Sequence, residues 1–268
     1  MNDAPIGIFD SGLGGLTVAR ALLRRLPYES IVYVGDTARV PYGPKSPDTV
    51  RRYSREIAGF LRDEGVKALV VACNTATAHA LPMLRETLEM PVIGVVEPGA
   101  RAAVQATRGG RIGVIGTVGT ISSGAYERAI RAIAPAAPIV AAACPLFVPL
   151  VEEGWLDREA TRLIARTYLR PLAECGVDTV VLGCTHYPLL APIIADELPG
   201  VVLIDSADET AGDVVRVLDR DALATNSRAL PTHRFIATDD PERFLRAGRL
   251  FLGEDAPLDA VEELGPFD

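Results

Sequence analysis

Lysine is almost missing: of 27 basic residues only Lys45 and Lys67 are lysines. A pyridoxal phosphate enzyme holds its cofactor through a Schiff-base lysine, and neither candidate sits in a phosphate-binding context, so that cofactor is not expected. Histidine is scarce too, with His79, His186 and His233 scattered along the chain, and the four cysteines, at 73, 144, 175 and 184, make no Cys-x-x-Cys pair. This spacing disfavours zinc, and no metal is expected. No stretch approaches the roughly 20 apolar residues of a membrane span. The start, Met1-Asn2-Asp3-Ala4-Pro5, lacks the basic and apolar regions of a signal peptide, which leads to the expectation of a cytoplasmic protein with reduced thiols. A net charge of −8 without a long arginine cluster argues against a nucleic-acid partner. What remains is a soluble globular chain of 268 residues, 49% of them hydrophobic. That length is enough for one or two domains with good cores.

Two stretches stand out. Val180-Val181-Leu182-Gly183-Cys184-Thr185-His186-Tyr187-Pro188 is an apolar, β-branched run that ends in a thiol, a hydroxyl and an imidazole before a proline turns the chain. Leu69-Val70-Val71-Ala72-Cys73-Asn74-Thr75 has the same form. A buried parallel strand looks like this where it delivers polar groups to its carboxyl edge. Cys73 and Cys184 are therefore read as thiols facing each other across one small substrate, whereas Cys144 and Cys175 are read as small core residues.

The rest of the chain alternates strands and helices. Ile6–Phe9 reads as a strand, followed by the glycine-rich loop Asp10–Gly15 and a helix carrying Leu16, Ala19, Leu22, Leu23 and Leu26. The loop spacing is not Gly-x-Gly-x-x-Gly, which disfavours a dinucleotide site. Ile31–Val34 is a second strand, and it runs into a loop with Asp36, Arg39, Tyr42 and Gly43, in which Asp36 and Arg39 can pair. Asp48 is expected to cap a helix, Pro91–Val96 to be a strand ending at Glu97-Pro98-Gly99, Ser122 to cap a helix with Ile133 inside, and Asp157 to open a longer helix. The tail beyond Gly253 reads as acidic and weakly ordered. Ile112-Gly113-Val114-Ile115-Gly116 repeats the form of Ile6-Gly7-Ile8-Phe9-Asp10, and each is followed at a similar distance by a cysteine strand, which suggests an internal duplication. The expected fold is α/β: two pseudo-symmetric three-layer domains with mostly parallel sheets and the active site in the cleft between them. The expected division is 1–97 plus 208–268 for the Cys73 side and 98–207 for the Cys184 side.

Further stretches add to this reading: Gly7 through Thr17, Gly35-Asp36-Thr37-Ala38-Arg39, Pro41-Tyr42-Gly43-Pro44, Ala72-Cys73-Asn74-Thr75, Ile115-Gly116-Thr117 and Leu182 through Pro188. Together they closely resemble the cofactor-independent glutamate racemases of bacterial cell-wall synthesis, a branch of the aspartate/glutamate racemase family. The match runs in family order through the first two thirds of the chain, and Val40 stands where relatives commonly have an aromatic. The resemblance implies inversion of the α-carbon of glutamate by two thiols, Cys73 serving D-glutamate and Cys184 serving L-glutamate. It implies that Asp10 and His186 assist proton transfer, with Glu152 a further carboxylate whose neighbour Glu153 competes for the alignment. Substrate binding carries over to Ser11, Tyr42, Gly43, Asn74, Thr75, Thr117, Thr120 and Thr185, and Asp10 suits the substrate ammonium. No cofactor, a homodimer, and a supply of D-glutamate for peptidoglycan are also implied.

Three other readings stay open on the residues: a racemase of the same family acting on aspartate, an amino-acid binding protein on the same fold, and a redox or thioester-forming thiol enzyme. Binding alone needs no thiols, and a redox enzyme needs a resolving partner rather than symmetric placement. Helix starts just after both cysteines are expected to lower the thiol pKa values.

Overall fold

The structure is a computed structural model that describes residues 3–253, 256–265 and 267. Four strands, β1 (Ile6–Asp10), β2 (Ile31–Gly35), β3 (Ala68–Val71) and β4 (Val92–Gly94), begin a parallel sheet. A second parallel sheet holds β5 (Arg111–Gly116), β6 (Ile139–Ala143), β7 (Val177–Gly183) and β8 (Val202–Ile204) in the order β6-β5-β7-β8. The chain then returns to the first sheet with β9 (His233–Ala237) and β10 (Glu262–Glu263), giving the order β10-β9-β2-β1-β3-β4. The segments β2-β1-β3-β4 and β6-β5-β7-β8 wind identically, so the duplication suggested by the sequence is present in the topology.

Continuous apolar runs such as Ile6–Phe9 are buried along their whole length because helices cover both faces of each sheet. On the first sheet, α1 (Leu16–Arg25) packs with α10 (Ser206–Arg220) and α11 (Pro241–Leu252) on one face, and α2 (Pro47–Asp63) with α3 (Asn74–Thr87) on the other. On the second sheet, α4 (Val96–Ala106) and α6 (Ala125–Ile133) lie on one face, and α8 (Glu159–Glu174) and α9 (Ala191–Glu197) on the other. One core cluster includes Ile8 and Tyr33 of the first sheet and Val180 and Leu182 of the second, so apolar packing is continuous between the halves. Helix α10 touches both α1 and α4 and so bridges them.

Several local expectations are corrected. Ser46, not Asp48, caps α2: its hydroxyl accepts from Thr49 N at 3.3 Å, while Asp48 sits in the first turn and pairs with Arg51. β4 ends at Gly94, and Glu97-Pro98-Gly99 is the first turn of α4 rather than a strand end. Proline is tolerated there because the first amides of a helix have no internal partner to lose. The helix expected from Ser122 is divided: α5 (Val118–Ser122) is capped by Thr117, Gly124 takes φ +64°, and α6 follows with Ile133 facing solvent. The long helix α8 starts at Glu159 instead of Asp157, which pairs with Arg162. In the tail, Leu258 is fully buried and β10 pairs with β9, so this part is fastened to the first sheet at two points rather than loose; 254, 255, 266 and 268 lie outside the described residues. No described helix is long and apolar enough to cross a membrane.

Each sheet reverses its winding at one place, between β1 and β3 and between β5 and β7. Ligands of open α/β sheets sit outside the carboxyl ends of strands at such a reversal. Asp10 and Cys73 stand there in the first sheet, where Phe9 pairs with Val71. Thr117 and Cys184 stand there in the second, where Gly116 pairs with Gly183.

Candidate active site

The four strand ends meet at one cavity of about 320 Å³. Ser11, Cys73, Asn74 and Thr75 reach its wall from the first sheet, and Thr117, Cys184, Thr185 and His186 from the second. Tyr42 and Gly43 come from the loop after β2, and Glu152 from α7 (Phe147–Glu152). Of the residues singled out in the sequence, Asp10 and Thr120 are not in the wall and stand behind it, both nearly fully buried. Glu153 is exposed and does not line the cavity, so Glu152 is the carboxylate brought to the site.

Cys73 is the N-cap of α3, and its sulfur accepts from Ala76 N at 3.4 Å and lies 3.7 Å from Ser11 Oγ. The expected lowering of its pKa does not occur. Burial pushes the thiol up to about 12, the charge of Asp10 adds to this, and the bonds from Ala76 and Ser11 only partly oppose it. Asp10 is itself raised by burial, against the opposing charge of His186 and the amides of Gly15, Gly12 and Ser11. Its Oδ2 accepts from Gly12 N at 2.9 Å, while Oδ1 is buried without a hydrogen-bond partner among the described residues.

Cys184 is also raised, chiefly by burial, with the charges of Cys73, Asp10 and Glu152 adding and the amide of His186 opposing. The helix expected after it is only a four-residue 3₁₀ turn, Tyr187–Leu190, too short to offer much dipole. Its sulfur lies 3.9 Å from His186 Nδ1, and His186 Nε2 lies 3.2 Å from Glu152 Oε1. Burial would raise Glu152, but the hydrogen bond and charge of His186 and the charge of Arg243 outweigh it and hold the carboxyl below its ordinary range. In the neutral ring whose Nε2–H is donated to Glu152, Nδ1 is an acceptor facing the thiol.

Hydroxyls from both halves form a triangle: Thr75 Oγ1 is 2.8 Å from Thr117 Oγ1 and 3.1 Å from Thr120 Oγ1, which are 3.0 Å apart. Asn74 Oδ1 accepts from Tyr126 OH at 2.6 Å, and its Nδ2 is buried with no partner among the described residues. Tyr42 is nearly fully buried and its hydroxyl donates to Asp36, which also receives Arg39, so the pairing of Asp36 with Arg39 holds and the phenol is not free for a ligand. Gly43 O accepts from Gly119 N at 2.8 Å, fastening this loop to α5. The site therefore offers two thiols with separate acid–base companions, plus neutral donors suited to carboxylates. Among the described residues, no cluster of three or more His, Cys, Asp or Glu could hold a metal ion.

Residues 13–214 match the Asp/Glu/Hydantoin racemase family. The chain belongs to this family. A glutamate racemase from Geobacter metallireducens is 56% identical to it over 249 residues, 92% of each chain. A glutamate racemase isoform from Bacillus anthracis superposes with a TM-score of 0.93 at 42% identity over 98% of each chain. The Francisella tularensis glutamate racemase, solved in complex with D-glutamate, gives 0.93 at 36% identity, covering 99% of this chain and 98% of that one. The two-sheet α/β fold is thus that of the family's glutamate racemases.

Some residues at this racemase-family site carried no signal in the sequence. Arg243 of α11 lies 3.9 Å from Glu152, and the ring of Phe251 packs edge-on to His186 with centroids 5.2 Å apart. Both arrive from a segment far along the chain from the residues they touch. Gly14 was visible only as a loop glycine, yet a Cβ there would meet Thr185 Oγ1 at 2.1 Å and His186 Nδ1 at 2.5 Å. Its missing side chain lets the β1–α1 loop lie against the Cys184 loop.

Proposed function

We propose that this chain interconverts L-glutamate and D-glutamate, with Cys73 and Cys184 exchanging the α-proton on opposite faces of the substrate. The observation that carries the reading is that the two thiols come from equivalent strand ends of two sheets and line one cavity. A single base would have to reach both faces of one carbon. Two bases let one thiolate take the proton while the other thiol delivers one.

Burial by itself keeps both thiols protonated at neutral pH. Substrate changes that balance, because its ammonium brings positive charge into the same cavity and favours a thiolate. On the L side, His186 Nδ1 accepts the proton of Cys184 while Glu152 holds the imidazole from behind. On the D side, Asp10 plays the corresponding part for Cys73 from behind the cavity wall, where its charge favours the substrate ammonium. Asn74 Nδ2, the hydroxyls of Ser11, Thr75, Thr117 and Thr185, and amides of the Tyr42–Gly43 loop hold the two carboxylates, while Thr120 supports the hydroxyl triangle from behind. Glutamate is preferred over aspartate on the strength of the relatives named above.

The same reading divides the chain into 1–97 plus 208–268 and 98–207, needs neither metal nor organic cofactor, and places a homodimer in the cytoplasm, where D-glutamate enters peptidoglycan synthesis. Light scattering at micromolar concentration should give about twice the chain mass, and a fully active monomer would contradict the dimer. The chemistry is tested in heavy water. Starting from L-glutamate, the first D-glutamate formed should carry deuterium at the α-carbon, while recovered L-glutamate stays mostly protium. Substantial α-protium in that first product would rule out two separate bases.

A further inference from the structure

We propose that Tyr126 is a positioning residue for the substrate: its hydroxyl fixes the orientation of the Asn74 amide so that Nδ2 faces the cavity. The inference rests on the racemase reading for its substrate and on the following geometry for the rest. Tyr126 lies on α6, in the half that carries Cys184, and is only 2% exposed. Its hydroxyl crosses to the other half and donates to Oδ1 of Asn74, the residue after Cys73, at 2.6 Å. Ser206, at the start of α10, lies on the same side, since a Cβ on Gly99 would meet both Ser206 Cβ and the Tyr126 hydroxyl. Its ring lies against the residue before the other thiol, since a Cβ on Gly183 would come within 3.1 Å of Tyr126 Cε2. Gly99 makes room on the other edge, where a Cβ would stand 3.3 Å from Cε1 and from the hydroxyl. One side chain thus touches the neighbours of both thiols.

The two ends of a primary amide have nearly the same shape and opposite hydrogen-bonding character. Something must decide which end faces the substrate. The phenol donates its hydrogen to Asn74, and only the carbonyl end can receive it. The amide NH₂ then points away from Tyr126 as a donor, and it is this nitrogen that is buried without a partner in a residue of the cavity wall. A substrate carboxylate completes it. Without the phenol hydroxyl the amide loses that preference, and a flipped amide would present its carbonyl oxygen to a carboxylate.

Tyr126→Phe tests this, since it keeps the ring between the glycines and removes only the hydroxyl. The KM for glutamate should rise about ten-fold, the size expected for a misdirected hydrogen bond to a charged group, while kcat changes by less than about three-fold. Because the enantiomers have equal free energy, kcat/KM must fall by the same factor in both directions. D-glutamate binding to the Cys73→Ser form, which does not turn over, should weaken by the same factor when Tyr126→Phe is added. In an Asn74→Ala background, Tyr126→Phe should add nothing. An unchanged KM, a loss confined to kcat, or effects that multiply in the double variant would overturn the proposal. Should Tyr126→Phe fail to fold, Asn74→Ala alone takes its place: the KM should rise at least about ten-fold, and an unchanged KM would overturn the proposal equally. A wild-type protein that binds glutamate without inverting it would instead sink the racemase reading and leave the positioning role standing.

Discussion

Cys144 and Cys184 are both buried thiols raised by burial, yet only one of them faces the cavity. Position in the fold, not local chemistry, separates their roles. Cys144 supplies its backbone oxygen to Tyr187 OH at 2.8 Å, a contact that survives loss of the thiol. Cys73→Ser and Cys184→Ser should each lower racemisation by several orders of magnitude, as expected when two groups act as a unit, whereas Cys144→Ser and Cys175→Ser should keep most of it. Equal losses at all four positions in a polarimetric assay would point to a redox or structural role. The same logic divides the two adjacent glutamates. Glu152→Gln removes the charge held against His186 Nε2 and should lower kcat roughly ten- to a hundred-fold. Glu153→Gln, at an exposed position, should leave the rate within about two-fold, and equal effects of the two variants would refute the orienting role given to Glu152.

Loops set the site as much as the strands do. The β1–α1 loop meets the Cys184 loop at Gly14, with no room for a methyl group. Gly14→Ala should force the loops apart and lower activity about a hundred-fold, the scale of a small misplacement at reacting groups, with a stability loss of about 1–3 kcal/mol. Gly59 is the control: it lies in α2 with nothing within 4 Å of an added Cβ, so Gly59→Ala should stabilise by about 0.5–1 kcal/mol and leave activity alone. Kinetics and urea midpoints on the two variants check both, and a fully active Gly14→Ala protein would show that the loops tolerate separation. At this scale the sequence was legible where one run of residues determined the element. The strands ending at Asp10, Cys73 and Cys184 were readable from apolar runs with polar ends, and the loop carrying Tyr42 from its position after the second strand. Helix α4 was not, because Pro98 and Gly99 look like breakers and become a helix turn only under packing against Tyr126 and Ser206. The division at Gly124 was hidden for a similar reason: Thr117, three residues before Thr120, makes the cap that fixes where α5 begins. Contacts between distant segments, such as Arg243 with Glu152 and Tyr126 with Asn74, left no local trace, since nothing in a helical arginine or a core tyrosine announces its partner.

At the scale of the whole molecule, two sheets of the same winding share one continuous core and keep their polar strand ends for the seam between them. Placing thiols in such a seam ties stability to pH. Burial raises Cys73 and Cys144 each from an ordinary 9.0 to about 12, and raises Cys184 as well. A group whose pKa is higher in the folded state binds its proton more tightly there, so the stabilisation is fully present below the unfolded value and is lost as pH rises through the folded one. For these thiols the window runs from about pH 9 to about pH 12. The buried tyrosines, Tyr33 among them, act in the same direction at still higher pH, again because burial disfavours their ionised form. Stability should therefore be flat near neutrality and decline steeply above pH 9, by up to about 1.4 kcal/mol per pH unit for each such thiol. Cys144→Ser isolates one contribution, because serine does not ionise in this range and the position lies outside the cavity wall. The variant should begin less stable than wild type at neutral pH, and the gap between their urea midpoints should narrow as pH rises past 9. A gap that stays constant across that window would mean that the Cys144 thiolate is no costlier in the folded protein than in the unfolded chain, and that burial does not control the thiols at the seam.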